Sequence, residues 1–159
     1  MKRLTTAASF THLPRLVAKY VRSLGIESIL VALNRNRKKR ILLVDDESSL
    51  TKLCKLMLEQ NDSFIVREEN LGARAVATAR EFRPDVIFLD LSLPDKNGPT
   101  IAAELQNDPK LRAVPIVFWS GSFKGKKDAV ASWHGNRPAL PKPFSTDELT
   151  QLASNPCPL

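Results

Sequence analysis

At 159 residues and 43% apolar composition the chain can bury one ordinary core, because single domains cluster at about 100–150 residues and two would be crowded. The formal charge of +7 is uneven: residues 1–40 hold ten Lys/Arg against one acid, Glu27, whereas residues 41–159 hold fourteen against sixteen, so a basic arm precedes a mildly acidic body. Cys54 and Cys157 form neither a metal-type spacing nor a disulfide framework, which fits a reducing, cytoplasmic setting, and the longest apolar run, Ile29 to Leu33, is far short of the roughly 20 residues that a membrane-spanning helix needs.

The first predicted element lies in the arm. Leu13, Leu16, Val17, Tyr20, Val21 and Leu24 recur at intervals of three and four, and Gly25 stops the pattern where a helix cap belongs. Ile26, Ile29, Leu30 and Leu33 repeat the spacing ahead of the basic run 35–40. The arm, residues 1–37, reads as a helical, basic, solvated extension or leader; the alternative is an amphipathic helix that touches an anionic surface. Its first 25 residues are Arg-bearing and acid-free like a transit peptide, without the apolar centre of a secretory signal.

After Arg40 short apolar runs alternate with helical segments, the pattern of a parallel sheet with helices on both faces. The predicted strands are Ile41–Val44, Phe64–Val66, Val86–Leu89, Ile116–Phe118 and Ala139–Leu140. Between them, Leu50, Leu53, Cys54, Met57 and Leu58 make a helical stripe, Ala73 to Arg80 is alanine-rich, and Pro99 opens a helix over Thr100–Gln106 that Asp108-Pro109 ends. Residues 121–134 and 146–153 supply two further helices.

Both acidic sets of the body fall at carboxyl ends of strands: Asp45-Asp46-Glu47 after the first and Asp90 at the end of the third. That edge of an open parallel sheet is where ligands sit. Three carboxylates gathered there raise one another's pKa values unless a cation compensates, and hard oxygen donors with room for water suit Mg²⁺. The fourth strand leads into Ser120 and the fifth into Lys142-Pro143, a candidate cis bond, so a hydroxyl and an ammonium join the same edge. An aspartate that accepts a phosphoryl group needs such partners for the developing charge.

This set resembles the receiver domain of two-component response regulators. The matching motifs are Ile41 to Glu47, Asp85 to Asp90 with Leu93-Pro94 and Gly98 behind it, Pro115-Ile116-Val117 before Ser120-Gly121, and Lys142-Pro143-Phe144. Separations of 44, 30 and 22 positions from Asp46 to Asp90, Ser120 and Lys142 in turn follow the family pattern. The resemblance covers residues 38–154, leaves 155–159 as a tail, and implies a doubly wound, flavodoxin-like (βα)5 fold with five parallel strands. It implies that Asp90 accepts phosphate from a sensor histidine kinase or histidine phosphotransfer protein. Asp45, Asp46, Asp90 and the backbone carbonyl of Ser92 would hold Mg²⁺, with Ser120 and Lys142 receiving the phosphate. The family's aromatic switch residue, three positions before the lysine, is here Ala139.

The expected function is that of a single-domain, cytoplasmic response regulator, a switch and not an enzyme, acting on an unidentified protein target. The alternative is a receiver-like interaction module that works without phosphorylation. A haloacid-dehalogenase-type phosphatase would need an Asp-x-Asp nucleophile motif on the first strand, where this chain has adjacent aspartates. Direct DNA binding is not expected, since only seventeen residues follow Lys142 and only the arm is basic.

Overall fold

The computed structural model describes residues 37–60, 62–121 and 138–156. The arm before Arg37, most of the helix predicted at 121–134, and Cys157 lie outside them. The described residues from Lys38 onward belong to one compact unit. The elements in chain order are β1 (Lys39–Val44), α1 (Ser48–Glu59), β2 (Phe64–Glu69), a short 3₁₀ turn (Gly72–Arg74), α2 (Ala75–Phe82), β3 (Val86–Asp90), α3 (Gly98–Asn107), β4 (Ile116–Ser120), β5 (Ala139–Pro141) and α4 (Thr146–Ser154).

The five strands form one sheet in the order β2-β1-β3-β4-β5, and every neighbouring pair is parallel. All five residues of β3 and all five of β4 are buried, as expected of strands covered on both faces. Strand alternation divides the core in two. Leu42, Val44, Ile87, Leu89, Ile116 and Phe118 face α2 and α3 through Ala75, Ala79, Phe82, Ile101 and Leu105. Ile41, Leu43, Phe88, Val117 and Trp119 face α1 and α4 through Cys54, Leu58, Leu149 and Ala153. Each wholly buried Leu or Ile contributes about 1.5–3 kcal/mol of hydrophobic stabilisation.

Local chemistry sets the ends of the helices. Asn97 caps α3, its Oδ1 accepting from the Thr100 N–H at 2.9 Å, with a proline in the first turn. Ser145 and Glu148 form a reciprocal capping box on α4. Arg83 ends α2 in the left-handed conformation, φ 52°, while its N–H still reaches Ala79 O at 2.8 Å.

Two details differ from the sequence reading. On α1 the predicted Cys54 and Leu58 face inward with Leu50 packed beside them, but Thr51 joins that face and Leu53 is 49% exposed. The helix carries leucines at 50, 53, 56 and 58, enough to support two overlapping stripes, and only packing against β1 and β2 selects one. Strand β2 runs three residues past its predicted end, through Arg67-Glu68-Glu69. These polar residues continue the pairing with Leu42 to Val44, and buried Glu69 accepts from Thr78 Oγ1 at 2.6 Å.

Candidate phosphoacceptor site

Strands β1 and β3 are neighbours, and the chain crosses to opposite sides of the sheet from them, so a crevice opens beyond their carboxyl ends. Asp90 is the last residue of β3. Asp45 follows β1 directly, and its N–H donates to Glu69 O at 3.2 Å, extending the ladder one residue. Alternation places residues 41, 43 and 45 on the α1/α4 face, along with 88 and 90. The side chains of Asp45 and Asp90 therefore meet on one side, and both residues are buried, at 1% and 5% exposure.

Lys142 joins them from the end of β5. Its Nζ donates to Asp45 Oδ2 at 2.5 Å and to Asp90 Oδ1 at 3.2 Å. Its N–H donates to Ser120 O at 3.0 Å, which ties the end of β5 to the end of β4, and the Lys142-Pro143 peptide bond is cis. Ser120 itself is buried, at 2% exposure.

Main-chain groups also donate to the carboxylates. Asp90 Oδ2 accepts from the Ser92 N–H at 2.7 Å, and Asp45 Oδ1 accepts from the Glu47 N–H at 2.9 Å. Gly98 packs against the peptide that follows Asp90, and its N–H donates to Leu91 O at 3.1 Å.

Among the described residues, two carboxylates and one ammonium meet in the pocket. Burial pushes the Asp45 carboxyl above its ordinary pKa, more than the hydrogen bonds from Lys142 and the Glu47 N–H lower it. Burial alone would depress Lys142, but hydrogen bonds and charge from Asp45 and Asp90 outweigh it and hold the ammonium above its ordinary value. Among the described residues the pocket thus offers more carboxylate than ammonium, and its donors are hard oxygens. That donor set suits Mg²⁺, which is commonly held by one or two carboxylates together with water and phosphate oxygens.

Of the sequence-predicted residues, Asp45, Asp90 and Lys142 are in direct contact, Ser120 is bonded through its main chain to Lys142, and Ser92 donates to Asp90. Asp46 is exposed, and among the described residues no three His, Cys, Asp or Glu side chains converge as a metal-binding group. Asp46 lies in the bend beyond the end of β1, so the buried carboxylates of the pocket are Asp45 and Asp90.

Two residues that the motifs do not contain also support the site. Asn70, just beyond β2, donates through Nδ2 to Asp45 O at 2.6 Å. Trp119 is wholly buried beneath Lys142, with Nζ 5.2 Å from its ring centroid. Their only sequence signal is position, each lying at the carboxyl end of a strand.

Comparison with known proteins agrees with this geometry. Residues 41–154 match the response regulator receiver domain family. The chain is 33% identical over 112 residues to Protein PilH of Pseudomonas aeruginosa, covering 69% of this chain and 90% of that one. It is 30% identical over 108 residues to the polar-differentiation response regulator DivK of Brucella anthropi, covering 67% and 86% respectively. Among solved structures, chemotaxis response regulator CheY4 of Vibrio cholerae superposes with a TM-score of 0.63 at 24% identity, covering 74% of this chain and 98% of that one. The Mn²⁺-bound form of response regulator Rcp1 superposes with a TM-score of 0.59 at 27% identity, covering 74% and 93%. The chain belongs to the response regulator receiver domain family, the signalling module of two-component systems.

Proposed function

We propose that the chain works as a single-domain response regulator in which Asp90 takes a phosphoryl group from a phosphohistidine of a sensor histidine kinase or histidine phosphotransfer protein. The observation that carries this reading is the shared contact of Lys142 with Asp45 and Asp90 at the β1/β3 crevice. The match to nearly the whole length of PilH and DivK supports the receiver as the working unit. The outcome is a phosphorylation-controlled contact with a protein target, in the cytoplasm, without turnover of a metabolite.

The donor set fits Mg²⁺, and the Mn²⁺-bound Rcp1 supports a divalent cation in a related receiver. Asp45, Asp46, Asp90 and the Ser92 carbonyl are the groups that would hold it, and when bound it would offset the negative charge of the donor oxygens.

An Asp90 carboxylate oxygen attacks phosphorus, the N–P bond of the phosphohistidine breaks as the O–P bond forms, and the imidazole leaves with a proton. Lys142 neutralises charge on the transferred group as a point cation, and the Ser120 hydroxyl donates to it. Asp45, whose raised pKa reflects a burial cost, gains when a cation enters.

One observation favours a second reading. Ala139, half-buried on β5, has no ring with which to respond to the site, as a phosphorylation-independent interaction module would allow. Intact-mass measurement after exposure to acetyl phosphate separates the two. A Mg²⁺-dependent gain of one phosphoryl mass supports the switch, and an unlabelled chain in saturating Mg²⁺ would leave the interaction module.

A further inference from the structure

Trp119 occupies a position that the chemistry above leaves unexplained. It lies in β4 directly before Ser120, and its register partner in β3 is Asp90 itself. Its indole Nε1–H donates to the carbonyl of Val44, the last residue of β1, at 3.2 Å. Its face stacks on Phe144, with centroids 5.8 Å apart and planes at 16°, and it meets Phe88 at 5.6 Å and 53°. An indole held by a hydrogen bond at its edge and by a second ring on its face cannot easily turn. The Lys142 ammonium sits 5.2 Å from the centroid of this fixed ring, within the range of a cation–π contact.

Lysine has a long flexible stem and a compact charge, so two carboxylates by themselves leave the ammonium free to swing between them. We propose that Trp119 is a positioning residue for phosphoryl transfer: its immobilised ring is the floor that holds the Lys142 ammonium between Asp45 and Asp90. The inference rests on the phosphoacceptor reading. It also accounts for an indole at the end of a buried strand, where an aliphatic side chain would fill a core but offer no π face or N–H to Val44.

The test uses the full chain and two readouts. Proton NMR reads the ε-methylene of Lys142, assigned with Lys142→Arg; the acetyl phosphate reaction in saturating Mg²⁺ reads the labelling rate. In the unphosphorylated wild type the ε-methylene protons should be shifted upfield by the ring current, and Trp119→Leu should return them to ordinary lysine positions. Trp119→Leu should also slow labelling roughly tenfold, the scale of a desolvated cation–π contact. Trp119→Phe, which keeps a π face, should recover most of that loss. If Trp119→Leu fails to fold, Phe144→Leu, at a half-buried position, frees the ring without removing it and should diminish both signals.

Ordinary wild-type shifts, or a folded Trp119→Leu that labels as fast as wild type, would overturn the inference, as would equal impairment of the Phe and Leu variants. The NMR readout does not depend on phosphate. A wild type with ring-shifted lysine protons that never labels would therefore overturn the phosphoacceptor reading while leaving the Trp119–Lys142 contact in place.

Discussion

A Cβ built on Gly98 would lie 2.3 Å from the main-chain oxygen of Asp90. The start of α3 is thus pressed against the peptide that follows the candidate phosphoacceptor, and only a residue without a side chain allows that approach. Gly98→Ala should lower stability by about 1–3 kcal/mol, the usual cost of overpacking, although alanine is the better helix former. The urea midpoint measures this directly. An unchanged midpoint would mean that the loop relaxes and that the close approach does not constrain Asp90.

Lys142 is the counter-ion of two buried carboxylates, with its side chain 20% exposed against 2% for Asp45 and 7% for Asp90. Lys142→Met should cost about 3 kcal/mol in metal-free buffer, because removing one partner strands buried charge. Adding Mg²⁺ should restore part of the loss if the pocket holds a cation. Thermal unfolding with and without Mg²⁺ checks both halves, and a variant insensitive to the ion would remove Mg²⁺ from the pocket.

The inward face of α1 makes a sharp comparison. Leu58→Ala, at a position 1% exposed, should cost about 2–5 kcal/mol, whereas Leu53→Ala, 49% exposed, should stay within about 0.5 kcal/mol. Equal costs in denaturant titrations would restore the predicted stripe through Leu53.

Alkaline pH should weaken the fold in a defined window. Burial first, and the nearby Asp45 charge second, push the Cys54 thiol up to about 11. The folded chain then holds this proton more tightly than the unfolded chain, whose thiol titrates near about 8.5. The contribution is complete below the unfolded value and is lost as pH rises to about 11, so the urea midpoint should fall across that range. Lys142, also raised, acts with the same sign at higher pH. Cys54→Ala should flatten the first part of the decline, and a slope identical to wild type would exclude the thiol as its source.

The fold was legible wherever one physical pattern dominated. Strands β1, β3 and β4 are continuous apolar runs because both faces are covered, and Asp90, Lys142 and Asp45 stood out because charge at strand ends of a parallel sheet has few purely structural uses. The end of β2 was not legible, since Arg67-Glu68-Glu69 is strand only through its pairing with β1 and through Thr78, nine residues beyond Glu69. That Asp45 is buried and Asp46 exposed depends on where β1 ends, which adjacent acids conceal. The part played by Trp119 was not legible, because its links to Val44 and Lys142 join β4 to the end of β1 and to the residue after β5.

Phosphate is expected on Asp90 and on no other side chain. After reaction with acetyl phosphate in Mg²⁺, borohydride reduction converts an aspartyl phosphate to homoserine, and peptide mass mapping locates it. Homoserine is expected at position 90 alone, absent without Mg²⁺ and absent in Asp90→Asn. Homoserine at Asp45 or Asp46 instead, or equal phosphoryl labelling of Asp90→Asn, would contradict this expectation.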